Sequence, residues 1–337
     1  MSSSKSLLDM PDVVMHKIFD KIGVRGVLTL QKVCHSLREY IDSQNMSMDF
    51  KAISVTMSPT KIWVTIGGQE GEILYQNVSK GCEVVYNGKV KNLHEADFVS
   101  VFIHDLRSIL IFQKTPLQRL NITFDEYEPG YSVECIEEVY KQLKTLLESS
   151  KRPIPVEKFV MNALKQKHVM SFLPFLDSKF LKEIRILDPT LWGIGYEPLY
   201  IDKIVKLEQW KGAEKVFIEI PIKSSTIPYF KDFKCAVFSV YNIYENGLNL
   251  LETAFQQSKT LEWLQIKYSY DSYIEEALSH FFGPSFQNDD EEHWFTRIPE
   301  SDLIMRVVSN PDEENLIFSR INESDVPEGA VIRKFIP

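Results

Sequence analysis

The amino-acid sequence predicts a mixed fold, α+β to α/β. Three short helices are expected first, then a small antiparallel β-meander, and then an irregular array of strands and helices. Three patterns predict this order: helical spacing of apolar residues near the amino terminus, alternation after Phe50, and a recurring strand-like spacing from Leu117 to Ile266. Each pattern indicates one kind of element, because side chains repeat every ~3.6 residues in helices and every ~2 in strands.

Length and composition are those of a globular protein with one large or two to three small domains. The chain has 337 residues, is 44% hydrophobic and 25% charged, and carries a formal net charge of -9. This charge repels phosphate backbones, so we expect no direct binding to nucleic acid. We expect no signal peptide, because the amino terminus lacks a continuous apolar segment, and no stretch reaches the roughly 20 apolar residues of a membrane span. We therefore expect no membrane association and a cytoplasmic or nuclear location.

The amino-terminal helices form the first predicted element. Pro11 suits the first turn of helix one, and Gly23 suits its end. Helix one carries a single apolar stripe about 140° wide, and Phe19 and Ile22 in this stripe are expected to form the core of the helical unit. The apolar residues of helix two, Val24 to Val33, spread over about 220°. So small a unit seldom buries enough surface alone, so we expect helix two to be covered by a partner or by the rest of the chain.

The region after the helices changes to strand-like alternation. From Phe50 to about Val90, short apolar runs are separated by Gly-Gly, Lys-Gly and Asn-Gly turns. This pattern predicts a small antiparallel meander. A helix from about Glu95 to Phe112 is expected next.

One apolar spacing recurs in the remaining chain: an apolar residue, two others, an apolar residue, one other, and a third apolar residue. It is found in the following triplets: Leu117-Leu120-Ile122, Val156-Phe159-Met161, Leu181-Ile184-Ile186, Ala213-Val216-Ile218, Cys235-Phe238-Val240 and Leu261-Leu264-Ile266. The triplets recur every ~20 to 40 residues, which resembles the strand-plus-helix period of leucine-rich repeats. The Asn or Cys of that repeat is absent, so we predict an irregular, leucine-rich-repeat-like array. An ordinary α/β domain whose strands share a burial pattern is the alternative.

The strand positions between the apolar ones would share one exposed face if the array curves. We expect that face to include the following residues: Arg119, Lys158, Arg185, Phe217, Ser239 and Gln265. This face is a candidate surface for a protein target.

The residue types that carry chemistry are not arranged as in a known catalytic or metal site. The histidines lack zinc-site spacing, the four cysteines are dispersed, and no nucleophile elbow occurs. The glycines around Gly67 and Gly193 lack the flanking residues of nucleotide-binding loops. We therefore expect no catalytic residue, no cofactor and no metal. An enzyme assembled from residues distant in sequence is a third, less favoured reading.

The amino-terminal stretch LLDMPDVVMHKIFDKIGVRGVLTLQKVCHSLREYID resembles an F-box. Met10-Pro11 stands in the place of its Leu-Pro, Ile18 lies in its first helix, Leu28 and Leu30 lie in its second, and Val33-Cys34 opens its third. The stretches VEKFVMNAL, MSFLPFLDSKFLKEIRI and LEQWKGAEKVFI resemble the FTH-type domain of the F-box family that is expanded in nematodes.

This resemblance implies a substrate-recognition subunit of an SCF-type E3 ubiquitin ligase. In such a complex the F-box docks on a Skp-type adaptor, the adaptor is held by a cullin, and the carboxyl-terminal domain captures a protein target of unknown identity. The resemblance implies these adaptor contacts: Met10, Pro11, Val14, Ile18, Leu30, Val33, Cys34 and Leu37. Leu37 stands where many F-boxes have Trp, which makes a weaker adaptor interface conceivable. The competing hypothesis is an interaction scaffold that binds a regulatory protein, such as an RNA-binding protein, without promoting its degradation.

The resemblance and the patterns together divide the chain into five predicted segments. They are a flexible amino terminus at 1–6, the F-box at 7–45, the meander and its helix at 46–115, FTH-type repeats at 116–285, and carboxyl-terminal strands at 286–337.

Overall fold

The computed structural model describes most of the chain. The described ranges are 7–31, 33–43, 50–67, 72–113, 115–125, 133–149, 152–189, 197–268, 274–288, 291–310 and 313–335. The predicted flexible terminus at 1–6 and the predicted loop around Gly193 lie outside them. The chain divides into two compact units, Met1–Glu157 and Lys158–Pro337.

The first unit places helices before a mixed sheet. Its elements are a 3-10 helix (Leu7–Asp9), α1 (Asp12–Gln31), α2 (His35–Ser43), β1 (Ala52–Met57), β2 (Lys61–Ile66), β3 (Glu72–Val78), β4 (Gly81–Tyr86), β5 (Lys89–His94), α3 (Phe98–Phe112), β6 (Arg119–Phe124) and α4 (Val133–Glu148).

The continuous helix α1 corrects the prediction of three short helices. The sequence predicts that helix one ends at Gly23, but α1 continues through that residue to Gln31. A glycine ends a helix only where the chain turns away, and no proline follows Gly23 to force that turn. The helix is tight at Gly26, where an added Cβ would lie 2.4 Å from the Cβ of Ile22. The missing side chain at Gly26 therefore lets the helix continue.

Helices α1 and α2 pack through a small apolar core. Its buried members are Met15, Phe19, Val27, Leu37 and Ile41. The rings of Phe19 and Tyr40 are 6.2 Å apart. The prediction that Phe19 belongs to this core is confirmed, whereas the same prediction for Ile22 is wrong because its side chain is exposed.

The sheet of the first unit contains the predicted meander. Its strand order is β6-β1-β2-β3-β4-β5. Strands β1 to β5 pair antiparallel in sequence order, and β1 pairs parallel with β6, so that Val55 lies beside both Val64 and Ile122. Helix α3 is capped by Asp97, whose carboxylate accepts a hydrogen bond from the Ser100 backbone nitrogen at 2.8 Å. That side-chain cap satisfies one of the free donors of the first helical turn.

The second unit alternates strands and helices before ending in a run of strands. Its strands and α-helices are β7 (Lys158–Asn162), α5 (Gln166–Val169), β8 (Glu183–Leu187), α6 (Glu208–Gly212), β9 (Lys215–Ile222), β10 (Cys235–Val240), α7 (Glu245–Gln257), β11 (Trp263–Tyr268), α8 (Ile274–Phe282), β12 (Phe286–Asn288), β13 (Glu291–Arg297), β14 (Leu303–Asn310), β15 (Asn315–Asn322) and β16 (Ile332–Lys334). Among the described residues of this unit, 3-10 helices also lie at Leu173–Phe175, Ile204–Lys206, Ser224–Phe230 and Glu323–Asp325.

The sheet of the second unit is also mixed. Strands β7 to β11 are parallel and adjacent in sequence order. Strand β15 then pairs antiparallel with β11 and is followed by β14, β13 and β12, while β16 pairs parallel with β13. The chain is therefore a mixed α/β protein, and this coarse prediction from the sequence is confirmed.

The predicted apolar triplets form the buried face of the parallel strands, with one correction. The register pairs Val216 with Ala236 and Ile218 with Phe238. The triplet on β10 is therefore Phe233-Ala236-Phe238, all buried, instead of one that begins at the half-buried Cys235. The sequence misleads here because Ala236 is too small to mark a core position by its own hydrophobicity.

Two arginines fasten the carboxyl-terminal strands to the helices of the second unit. Arg320 donates to the Leu261 carbonyl at 2.7 Å and to the Phe255 carbonyl at 3.0 Å, which satisfies backbone acceptors at and after the end of α7. Arg333 on β16 forms a hydrogen-bonded ion pair with Glu252, whose side chain is buried. These contacts attach β15 and β16 to α7 and to the segment that follows it.

Candidate protein-binding surfaces

Helix α1 and the residues directly before and after it leave large apolar side chains in solvent. The exposed ones are Met10, Val13, Val14, Ile22 and Val33. Val13 is 70% exposed and Val33 is 63% exposed. Single exposed apolar residues are ordinary, but several along one helix and its flanks are typical of a protein-binding surface. We call this group the exposed helical patch.

The structure places the eight predicted adaptor contacts in three environments. Met10, Pro11, Val14, Val33 and Cys34 are exposed, Ile18 and Leu30 are half-buried, and Leu37 is buried in the core of the helix pair. Burial of Leu37 means that its side chain already has partners within the chain. The adaptor role of all eight residues stays a prediction.

Val13 and Ile22 belong to the exposed helical patch but not to the predicted adaptor contacts. On a helical wheel Val13 lies away from the stripe that contains Met15 and Phe19, and the F-box resemblance does not imply it as an adaptor contact. The sequence feature that indicates a binding role for Val13 is a β-branched apolar residue at a helical position that faces away from the apolar stripe. Such a residue gives little helix stability of its own. This suggests a role outside the helical core.

One polar contact fixes the entrance of α1 against α2. The Tyr40 hydroxyl donates to Oδ1 of Asp12 at 2.6 Å. Partial burial, together with the hydrogen bond and negative charge of Asp12, raises the pKa of Tyr40 to about 12. The phenol is therefore neutral near pH 7 and stays a donor. This contact orients the first turn of α1, from which Val13 and Val14 project.

The second candidate surface lies on the parallel strands, on the side opposite the buried triplets. We call it the open strand face and define it as the outward-pointing residues of β7 to β11. Its central members are Lys158, Glu183, Arg185, Lys215, Phe217, Val237, Trp263, Gln265 and Lys267. The expected face residues Lys158, Arg185, Phe217, Ser239 and Gln265 all belong to it by register, whereas Arg119 lies on β6 of the first unit.

Charged and aromatic groups on the open strand face contact one another directly. Glu183 accepts from Lys158 at 2.8 Å and from Nε of Arg185 at 2.5 Å. The guanidinium carbon of Arg185 also lies 4.0 Å from the ring centre of Phe217, a cation–π contact. Partial burial alone would raise the pKa of Glu183, but the hydrogen bonds and charges of Lys158 and Arg185 hold that pKa below its usual value. Arg185 therefore lies over the ring of Phe217 while it is ion-paired with a charged carboxylate.

The described residues show neither a metal site nor a membrane span. Within them, His, Cys, Asp and Glu side chains nowhere gather in groups of three that could hold a metal ion. In the same part of the chain, no helix combines the length and the apolar character that a bilayer crossing requires. What the described chain offers for function is a pair of surfaces that suit contact with other proteins.

Comparisons with known proteins find domain matches in both regions that carry these surfaces. Residues 7–47 match the model of the F-box domain, and residues 137–285 match the model of the FTH domain. The chain is also similar to F-box A protein 224 of Caenorhabditis elegans, with 24% identity over 294 residues that cover 86% of this chain and 73% of the relative. No solved structure matches the chain.

The helical patch and the F-box match define the class as an F-box protein. An F-box domain implies binding to a Skp-type adaptor and a substrate-recognition role in SCF-type ligases, and F-box proteins are generally non-catalytic. More particularly, the two matched domains and this relative correspond to the nematode-expanded family of F-box proteins that carry an FTH domain.

Proposed function

We propose that this chain is the substrate-recognition subunit of an SCF-type E3 ubiquitin ligase. The exposed helical patch docks on a Skp-type adaptor that a cullin holds, and the carboxyl-terminal domain captures a protein target. The observation that carries the proposal is the group of apolar side chains that α1 and the residues directly before and after it leave in solvent within the F-box match. Their burial against a partner is favourable by about 25 cal/mol for each Å² of apolar surface removed from water.

The contribution of such a subunit to ubiquitination is proximity. A target lysine that is held beside a charged conjugating enzyme reacts at a raised effective concentration, so the recognition subunit needs no catalytic residue. The surfaces described above suit this role, because both present apolar or charged side chains to a partner.

The parallel strands β7 to β11 support an irregular, leucine-rich-repeat-like description of the target-binding domain. Each strand has a buried apolar pair on one face and, apart from the buried Val160 of β7, half-buried or exposed residues on the other, and the strands follow one another in sequence order. Neighbour-to-neighbour stacking of this kind produces extended binding surfaces in repeat proteins. We propose a cytoplasmic or nuclear location, where the adaptor and the cullin act.

Adaptor capture tests the proposal. Full-length chain and the double variant Val14→Asp/Val33→Asp are co-expressed with a Skp-type adaptor and a cullin, and the adaptor that co-purifies is measured. The matched control is Val90→Asp, which places the same charge on an exposed valine of β5. We expect the double variant to lose the adaptor and the control to retain it, with helical content unchanged by circular dichroism. Full retention by the double variant would refute the proposed docking surface.

Target fate separates the ligase from the competing scaffold. Proteins captured with the wild-type chain under proteasome inhibition are compared with those captured by the double variant. For a ligase, bound proteins carry ubiquitin only with the wild-type chain, and they accumulate when the chain is removed. Unmodified partners whose abundance does not change would support the scaffold that does not promote degradation.

A further inference from the structure

The open strand face has a charge that differs in sign from that of the whole chain. Strands β7 to β11 present four cations outward, Lys158, Arg185, Lys215 and Lys267, against two carboxylates, Glu183 and Glu219. The chain as a whole has a net charge of -9. The face is therefore a local positive surface on an acidic protein, which attracts acidic groups of a partner.

Two of the four cations are available to such a partner. Lys158 and Arg185 share the carboxylate of Glu183. Lys215 and Lys267, in contrast, are exposed and form no salt bridge among the residues that the structure describes. The charge of Lys215 acts on the adjacent Glu214, which is ion-paired with Lys234, and on Cys235. Lys215 and Lys267 lie two strands apart and four residues apart along the strand direction, because Lys215 pairs with Cys235 and Cys235 with Trp263. Their Cα atoms are therefore about 16 Å apart, from the usual strand spacings.

Apolar side chains lie between the two lysines. Phe217, Val237 and Gln265 are aligned across β9, β10 and β11, and Phe217 and Val237 are half-buried. Trp263, 37% exposed, lies at the same strand level as Lys215. Tryptophan is enriched among the residues that dominate protein-binding energies. An apolar centre with a cation on either side would suit a short peptide better than it would suit a small ion.

We infer that the open strand face captures an extended acidic segment of the target, about five residues long, in which acidic side chains flank an apolar or aromatic one. The acids pair with Lys215 and Lys267, and the central side chain packs against Phe217, Val237 and Trp263. This inference rests on the proposed function, since it names the class of segment that the target would present.

A protein segment fits this face better than nucleic acid does. The surplus of positive charge is only two, and the carboxylates of Glu183 and Glu219 would lie against phosphates. Nucleic-acid affinity relies on many phosphate contacts, each of which releases counterions. The apolar row at the centre of the face, by contrast, gains from contact with an apolar side chain.

Selection from random peptides tests the inference. The full chain, bound to its Skp-type adaptor, is used to select displayed 12-residue peptides, and enriched sequences are synthesised with a fluorescent label for anisotropy titrations. We expect enriched peptides to be acidic with an apolar or aromatic centre. The double variant Lys215→Glu/Lys267→Glu should bind them at least ~10-fold more weakly, and Trp263→Ala should also weaken binding. The control Lys206→Glu, an exposed lysine of a 3-10 helix, should leave affinity unchanged.

Several outcomes would overturn the inference. These are no enrichment, enriched peptides that are neutral or basic, or equal losses in the control and in the double variant. A single-stranded RNA of similar length that bound more tightly than the peptides would also overturn it. Adaptor binding is measured in the same samples. Retained adaptor without acidic-peptide binding would refute this inference alone, whereas loss of adaptor in the wild-type chain would refute the proposed function.

Discussion

The F-box helices and the parallel strands use the same kinds of apolar residue in opposite ways. On β7 to β11 almost every apolar triplet residue is buried, and Ile184 and Phe238 have no solvent exposure. On α1 and in the turn that follows it, Val13 and Val33 remain mostly in solvent. The difference teaches that the inward-pointing apolar residues of the strands act for the fold, while a share of the apolar residues in and beside α1 is available to a partner.

A core substitution in the strands should have the largest effect on stability. Phe238 is fully buried, with its ring centre 4.3 Å from that of Phe230. Phe238→Ala should lower the free energy of unfolding by about 3–5 kcal/mol, because it removes apolar contacts and leaves a cavity. Urea titration followed by tryptophan fluorescence measures this loss. The control Phe180→Ala removes a phenyl group that is already exposed and should cost less than about 1 kcal/mol.

Substitution of Gly26, where α1 has no room for a side chain, should have the next largest effect on stability. Gly26→Ala would place a Cβ 2.4 Å from the Cβ of Ile22, so the helix would have to shift at a cost of about 1–3 kcal/mol. The matched control is Gly247→Ala in α7, where the nearest atom would be an ordinary 3.5 Å away. That control should be stabilised by about 0.5–1 kcal/mol, because alanine favours helices more than glycine does. Thermal unfolding followed by circular dichroism measures both effects. Unfolding temperatures that shifted in the same direction in the two variants would contradict this account.

Low pH should lower the stability of the second unit, because Glu183 on β8 becomes protonated. Because Lys158 and Arg185 lower the pKa of this carboxyl in the folded protein, the unfolded chain binds its proton more readily. The stability that it contributes is present above the unfolded pKa and is lost as pH falls through the folded one. Glu183→Gln should therefore be less stable than wild type near pH 7, with a smaller difference at pH 3. A constant difference across this range, measured by urea unfolding, would show that the ion-paired carboxylate has no role.

High pH should lower the stability of the helix pair α1 and α2 by a smaller amount, because the Tyr40 phenol loses its proton. Its pKa is raised to about 12 in the folded protein, so the folded state keeps the phenol proton that the unfolded chain releases near pH 10. The contribution is full below pH 10 and is lost as pH rises towards 12. Tyr40→Phe should abolish this step in a helical circular-dichroism titration between pH 9 and pH 12. An unchanged titration in Tyr40→Phe would exclude the contact with Asp12 as its cause.

Much of the architecture was predictable because local periodicity determined it. The antiparallel strands β1 to β5, helix α3 and most apolar triplets follow from alternation or helical spacing within short windows. The continuity of α1 was not predictable, because a glycine such as Gly23 permits a helix end without requiring one. The triplet on β10 was misplaced because only pairing with β9 shows that Ala236 is a core position.

The surfaces were predictable only in part, because exposure depends on tertiary packing. Sequence resemblance selected Val14 and Val33, but it also selected Leu37, which packs inside the helix pair, and it missed Val13. The strand register that aligns Lys215 with Trp263 joins residues 48 positions apart in the sequence. The ion pair of Glu252 and Arg333 spans a still longer separation. No local pattern contains such pairings.

The central claim is that the exposed apolar residues of the F-box serve a partner, and Val13 tests it most directly. Val13→Asp and Val331→Asp place the same charge at valines that are 70% and 71% exposed, and an acidic residue in the first turn of α1 suits the helix dipole. Affinity for a purified Skp-type adaptor is measured by calorimetry, beside the free energy of unfolding. We predict that Val13→Asp binds at least ~10-fold more weakly with stability within about 0.5 kcal/mol of wild type, and that Val331→Asp binds normally. Equal adaptor affinity for the two variants would contradict the claim.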